Sequence, residues 1–168
     1  SNGILFNHES PLRGETFVTK KIVKALCKIK LNKQKKIFLG NLHAKRDWGH
    51  AKDYVKAMWK ILQYDRPEDF VICTGKQYTI KQFINMVTRQ LKFPIKWRGK
   101  GIKEKAYDKK NNCIIECHKK YFRPAEVDML RGDYSKAKKK LKWKPENDIN
   151  YLIKDMISYE LNILNNDK

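Results

Sequence analysis

The chain has 168 residues, of which 41% are hydrophobic and 33% charged, and its formal net charge is +20. This length and apolar content argue for one domain with a core rather than a disordered chain, and no apolar run approaches the roughly 18–20 residues of a membrane helix. The charge comes from 31 lysines and only 7 arginines, whereas proteins that read nucleic acids rely on planar, bidentate Arg. A solvated, lysine-rich surface is the preferred interpretation, and a basic nucleic-acid-binding module is the alternative.

The first half of the chain alternates between strand-like and helical patterns. Residues 2–7 (NGILFN) form an apolar run with polar ends, which is typical of a buried strand that leads into a site. Apolar residues at helical spacing predict a helix from about Thr19, and residues 37–41 read as a second strand with a turn. The segment 50–64 predicts another helix, whose apolar stripe we expect to face the core: Val55, Met58, Trp59 and Leu62.

The second half begins with a further strand at residues 69–75, closed by Gly75. Thr79 then starts a helix with a capping box, since its hydroxyl can accept from the N3 amide while Gln82 reaches back. Three kinds of element are predicted downstream: short strands near residues 95–97 and 114–116, a short helix to Leu141 that Ser135 can cap, and a last helix that Asp148 can cap.

The spacing of the cysteines does not predict a metal site. Cys113, Cys117 and His118 offer only three close ligands, and no partner cluster occurs elsewhere at metal spacing. Cys27 and Cys73 lie within apolar patterns and read as small core residues. We therefore expect reduced thiols in a cytoplasmic protein.

The apolar strands separated by helical segments suit a parallel sheet that is buried on both faces, so the predicted fold class is α/β. Ligands of such sheets bind at the carboxyl ends of the strands. Asn7 and His8 would emerge there, and Arg13 could reach the same ligand. An amide, an imidazole and a guanidinium suit a nucleotide, but a loop that caps the following helix explains them equally well.

A second polar cluster follows the strand at residues 37–41. Gly40 would let the backbone approach a ligand closely. The pair Arg46-Asp47 suggests a guanidinium group that binds an anion while the neighbouring carboxylate holds it in place. The alternative is a surface ion pair, which contributes little to stability.

A third cluster is YFRPAEVD. Arg123 precedes a proline and is therefore biased to extended geometry, and Glu126 could accept hydrogen bonds from a sugar diol. This motif is weak alone, but three arginine-centred clusters in one small α/β chain favour a nucleotide-diphosphate ligand.

Five stretches occur in this order along the chain: NGILFNHESP, RGETFVTKKI, LGNLHAKRDWGHAKDYVKAMW, YFRPAEVD and SKAKKKLKWKP. Together they resemble the GDP-mannose 4,6-dehydratases, a family of extended short-chain dehydrogenases/reductases. The HAKDYVKAM part has counterparts across nucleotide-sugar epimerases and dehydratases, whereas NHESP and KRDWGHAKDY point to the GDP-mannose enzymes. Another epimerase, dehydratase or reductase of the same superfamily is the alternative.

The resemblance implies a Rossmann-type parallel sheet with a small α/β substrate-binding subdomain. Residues 1–168 would be a C-terminal fragment, with strands 2–7 and 69–75 in the nucleotide-binding sheet, the remainder mostly in the subdomain, and the dinucleotide-binding half absent. The implied reaction oxidises C4 of GDP-mannose by hydride transfer to NADP+, eliminates water across C5–C6, and returns the hydride at C6. We expect the full-length enzyme to be a homo-oligomer, either a dimer or a tetramer.

The resemblance assigns His8 and Arg13 to the NADP site and directs Asn7 to the substrate. It assigns no catalytic residue in this chain, because the glycine-rich loop and the Tyr-x-x-x-Lys pair of the family would precede residue 1. Tyr134 and Lys138 have the latter spacing, but they fall in a segment where the family has a structural helix.

The other implied residues would bind the GDP part of the substrate. They are Lys21, Leu39, Gly40 and Asn41 for GDP itself, Arg46 and Arg123 for the pyrophosphate, Glu126 for the ribose hydroxyls and Ile80 for guanine.

Overall fold

The computed structural model describes residues 1–122 and 129–166. In chain order, its strands and α-helices are β1 (Gly3–Leu5), β2 (Asn7–Glu9), α1 (Val18–Lys30), β3 (Ile37–Leu39), β4 (Lys45–Arg46), β5 (Trp48–His50), α2 (Ala51–Leu62), β6 (Phe70–Ile72), β7 (Tyr78–Thr79), α3 (Ile80–Gln90), β8 (Lys96–Arg98), β9 (Lys105–Tyr107), β10 (Cys113–Cys117), α4 (Ser135–Leu141) and α5 (Ile149–Asn166). None of the helices in these described residues is long and apolar enough to cross a membrane.

The segment predicted as one strand over residues 2–7 is divided between two small parallel sheets. β1 pairs with β6, and β2 pairs with β5. The chain changes partner at Phe6, whose N–H still donates to the carbonyl of Ile72 at 2.9 Å. The apolar pattern cannot reveal this change, because a strand looks the same from the sequence whichever neighbour it pairs with.

A larger sheet with the strand order β3-β10-β9-β8 lies beside these strands. β10 runs parallel to β3 and antiparallel to β9. Helices α1, α3 and α5 pack with it around the main core, which includes the fully buried residues Leu26, Phe83, Ile115, Ile153 and Met156. A buried ion pair between Lys20 and Glu160 joins α1 to α5.

A second core forms around β6, α2 and α4, and it includes Tyr54, Phe70 and Trp143. The predicted inward face of α2 was wrong. Its buried side is formed by Asp53, Tyr54, Ala57 and Ile61, whereas the expected stripe is exposed: Val55 (60%), Met58 (38%), Trp59 (62%) and Leu62 (80%).

Local capping chemistry was predicted correctly at two helices. The predicted cap at Ser135 was wrong, because α4 begins at Ser135 itself and its N-cap residue, Tyr134, makes no side-chain cap hydrogen bond. Thr79 Oγ1 accepts from Gln82 N at 3.0 Å while Gln82 Oε1 accepts from Thr79 N at 2.7 Å, so the capping box of α3 is confirmed. Asp148 Oδ1 accepts from Tyr151 N at 2.8 Å in the first turn of α5. These three bonds satisfy backbone donors that have no partner within the helix at its start.

Candidate functional site

A cavity of about 610 Å³ opens where β2, β3, β4, β5 and the first turns of α1 and α3 meet. It collects every described residue that was assigned to the substrate: Asn7, Lys21, Leu39, Gly40, Asn41, Arg46 and Ile80. Parallel strands deliver the residues at their carboxyl ends to one edge, which explains why residues far apart in sequence share this cavity. Arg123 and Glu126 lie outside the described residues.

One end of the cavity is built on the turn after β3. Lys21 reaches it from α1 and donates from Nζ to the carbonyl of Phe38 at 2.8 Å. Burial lowers the pKa of Lys21 because the charged form is partly desolvated there. Asn41 fixes the turn by accepting on Oδ1 from His43 N at 2.9 Å. The result is a cation and an amide held side by side at a tight backbone turn.

Arg46 lies on β4 and lines the middle of the cavity. Its Nη1 donates to the carbonyl of Lys45 at 2.8 Å. Asp47, which the sequence suggested as a brace for this guanidinium, is fully buried and accepts from Thr74 N at 2.9 Å, Thr74 Oγ1 at 2.6 Å and Gly75 N at 2.8 Å. The carboxylate therefore ties the segment that carries Arg46 to the turn after β6.

Glu9 is a buried acid at the cavity wall and was not predicted to line it. Its Oε2 accepts from Thr19 Oγ1 at 2.5 Å and lies 3.3 Å from Arg13 Nε. Burial raises the pKa of Glu9, while Thr19 and Arg13 oppose that effect. Arg13 itself does not line the cavity, but Phe17 does. The guanidinium carbon of Arg13 lies 3.5 Å from the centroid of the Phe17 ring.

His8 is not among the residues that line this cavity. Its Nδ1 lies 2.8 Å from the carbonyl oxygen of Phe6, so Nδ1 carries the proton in that contact. Its ring packs at 5.1 Å from that of Tyr54. His8 and Arg13 thus lie outside the lining of the cavity that collects the substrate residues.

The cavity has further lining residues that the sequence did not single out: Glu9, Thr16, Phe17, Val18, Trp48, Lys120 and Tyr121. Most of them lie inside the stretches that resemble the family, so those stretches already marked the region of the cavity. Their roles were not visible because each depends on a contact with a segment that is distant in sequence.

Tyr134 is a packing residue. Its ring meets that of Trp143 edge-on at 5.9 Å, and a Cβ on Gly75 would lie only 3.4 Å from its Cε1. Lys138 on α4 is exposed. The Tyr-x-x-x-Lys spacing here is therefore a feature of the second core and lies away from the cavity.

The four cysteines are free thiols, of which Cys27, Cys73 and Cys117 are buried. Burial raises the pKa of Cys27 to about 12 and that of Cys73 to about 12, so both remain protonated at neutral pH. Within residues 1–122 and 129–166, no group of three His, Cys, Asp or Glu side chains could hold a metal ion.

The family model of GDP-mannose 4,6 dehydratase matches residues 1–156. The chain is 47% identical to GDP-mannose 4,6 dehydratase 2 of Caenorhabditis elegans over 99% of its own length and 44% of that protein. It is 48% identical to GDP-mannose 4,6-dehydratase of Vibrio cholerae over 95% of its length and 46% of that protein. It thus spans about half the length of the curated relatives it matches.

Solved structures share the fold at low sequence identity. RMD from Pseudomonas aeruginosa, complexed with NADPH, superposes with a TM-score of 0.77 at 18% identity over 96% of this chain and 48% of that one. The dTDP-glucose 4,6-dehydratase of Bacillus anthracis, in complex with NAD, gives 0.70 at 18% identity over 94% and 43%. The fold is therefore the α/β fold of the C-terminal part of an extended short-chain dehydrogenase/reductase. Together with the family match over residues 1–156, this establishes that the chain belongs to the GDP-mannose 4,6-dehydratase family.

Proposed function

We propose that this chain is the GDP-sugar-binding part of an enzyme that converts GDP-mannose into GDP-4-keto-6-deoxymannose and water. The observation that carries the proposal is the cavity of about 610 Å³ in which all seven described substrate residues meet. Clefts of roughly 300–1,000 Å³ are the usual size for small-molecule sites. Arg123 and Glu126 complete the proposed set for the pyrophosphate and the ribose.

The charges around the cavity suit a diphosphate. Arg46 and Lys120 supply cationic groups, and among the described residues Glu9 is the single acidic group in the lining. Arg46 offers the planar donor geometry that matches phosphate oxygens.

NADP supplies the hydride acceptor and donor of the proposed reaction. Arg13 fits the phosphate groups of NADP, because the ion pair of its Nε with Glu9 Oε2 at 3.3 Å holds the guanidinium in place. His8 would serve an uncharged part of NADP, since Nδ1 donates to the carbonyl of Phe6 and leaves Nε2 as an acceptor.

The rest of the active site is proposed to come from a dinucleotide-binding half that packs against β1 and α2. Within the described residues β1 pairs only with β6, and Ile4 is 53% exposed. One flank of α2 is taken by the segment after α4, where Lys60 donates to the carbonyls of Leu141 and Lys142 at 3.1 Å each. The other flank carries the exposed apolar stripe. A strand parallel to β1, followed by a helix beside α2, would cover both features.

The test is competitive binding to the 168-residue chain with a labelled GDP probe. GDP-mannose is expected to displace the probe at lower concentration than UDP-glucose, while the chain alone produces no 4-keto sugar. Equal displacement by both sugars would favour another nucleotide-sugar enzyme of the superfamily. Absence of GDP binding would refute the proposal.

A further inference from the structure

Tyr121 closes one end of the cavity through strand pairing that is distant in sequence. β10 runs parallel to β3 with Cys117 opposite Leu39, so both strands deliver their following residues to the same end. His118 N then donates to the carbonyl of Leu39 at 2.8 Å. A short 3₁₀ turn, Lys119–Tyr121, carries the chain over the Gly40 turn.

The backbone of Tyr121 is held in place by Gly40. A Cβ on Gly40 would lie 2.1 Å from the carbonyl oxygen of Tyr121 and 2.7 Å from its carbonyl carbon. No side chain fits in that space. The close approach fixes the distance between the turn after β3 and the aromatic ring that faces the cavity.

The ring of Tyr121 holds the ammonium group of Lys21. Lys21 Nζ lies 3.9 Å from the ring centroid and is tethered to the carbonyl of Phe38 at 2.8 Å. The ring is still 44% exposed. The cavity therefore presents an aromatic side chain and an immobilised cation next to each other.

This pair matches the chemistry of guanine. Guanine presents two acceptors, O6 and N7, to a donor such as the ammonium of Lys21, whereas adenine has an amino group in place of O6. An ammonium group has donors and no acceptor, so it discriminates between the two purines.

We propose that Tyr121 is a specificity-determining residue for the guanine base. Its ring takes the ammonium of Lys21 on one face and thereby positions that group toward O6 and N7. The inference rests on the proposed GDP-sugar function and goes beyond it by naming the residue that selects the base.

The test compares the 168-residue chain with Tyr121→Ala, Tyr121→Phe and Phe122→Ala, using GDP, ADP and inorganic pyrophosphate in equilibrium binding. Phe122 is the adjacent aromatic residue, is 39% exposed and is not among the lining residues, so it is the matched control. Tyr121→Ala should weaken GDP binding about fivefold and reduce the preference for GDP over ADP, with pyrophosphate binding unchanged. Tyr121→Phe and Phe122→Ala should behave like the original chain.

Two results would overturn the assignment of Tyr121 alone: unchanged GDP affinity in Tyr121→Ala, or an equal loss of GDP and pyrophosphate binding, which would indicate a collapsed cavity. If the original chain binds pyrophosphate but prefers no base, the base-selecting role is also refuted. If it binds none of the three ligands, the proposed function itself fails.

Discussion

Asp47 accepts two hydrogen bonds from Thr74, one from its backbone N–H at 2.9 Å and one from its hydroxyl at 2.6 Å. This contact joins the segment between β4 and β5 to the turn after β6, and therefore connects the cavity to the second core. Asp47→Ala would leave the buried donors of Thr74 and Gly75 unpaired. We expect a loss of about 3 kcal/mol in the free energy of unfolding, measured by urea denaturation. The exposed Asp65→Ala serves as the control and should change it by less than about 0.5 kcal/mol; equal effects would contradict the role of Asp47.

Gly40→Ala should remove nucleotide binding. The added methyl group would meet the backbone of Tyr121, which cannot move as a flexible side chain can. We expect a destabilisation of about 1–3 kcal/mol and a loss of GDP affinity, read by titration. The control is Gly101→Asn, because nothing lies within 4 Å of a Cβ at Gly101 and Asn tolerates its positive φ of 56°. Normal GDP binding by Gly40→Ala would show that this turn does not shape the site.

Two substitutions of Tyr134 distinguish a packing role of its ring from a chemical role of its hydroxyl. Tyr134→Phe keeps the ring against Trp143 and should preserve both stability and GDP binding. Tyr134→Ala removes that ring from the second core and should cost about 3 kcal/mol, measured by thermal or urea unfolding. A specific loss of function in Tyr134→Phe at normal stability would contradict the packing role.

Glu116 gives a pH dependence with a definite sign. Hydrogen bonds from Lys105 and Lys36 lower the pKa of Glu116 from 4.5 to about 2. Because the folded pKa is below the unfolded one, the stabilisation is present above pH 4.5 and is lost as the pH falls from 4.5 to about 2. The stability difference between the original chain and Glu116→Gln, from urea midpoints, should therefore shrink across that window. In a Lys36→Gln, Lys105→Gln background the same substitution should have no such pH-dependent effect; a persistent effect would point to another cause.

The exposed flank of α2 can be tested with two charged substitutions. Trp59→Lys and Leu62→Lys should leave the unfolding free energy within about 0.5 kcal/mol, because both side chains are exposed. They should also reduce self-association of the isolated chain, measured by sedimentation velocity. Ile61→Lys on the same helix should instead unfold the protein, since Ile61 is 7% exposed. If Trp59→Lys destabilises as strongly as Ile61→Lys, the stripe is part of the core after all.

Local chemistry was the predictable part of this fold. The capping box of α3 needs only Thr79 and Gln82, which are three positions apart, so the sequence contains all of it. The orientation of α2 needs more. The helix has two apolar stripes at helical spacing, one with Tyr54 and Ala57 and one with Trp59. The less hydrophobic stripe, with Tyr54 and Ala57, is buried because it faces β1 and Trp143. The orientation of α2 therefore depends on its tertiary contacts and not on the hydrophobicity of its two faces.

The residues of the candidate site were predictable where they lie within motifs that resemble the family. Asn7, Lys21 and Arg46 sit within stretches that resemble the family, and they line one cavity. Tyr121 was missed because its place depends on the pairing of β10 with β3, a contact between segments that no periodicity connects.

The cavity walls also set an order of events during synthesis. Asn7 and Lys21 leave the ribosome well before the turn at Lys119–Tyr121, which also lines the cavity. A nascent chain that ends before this turn has no complete pocket. The GDP-sugar proposed as the ligand can therefore protect the pocket from proteolysis only after this turn has been translated, and it cannot rescue folding errors made before that point.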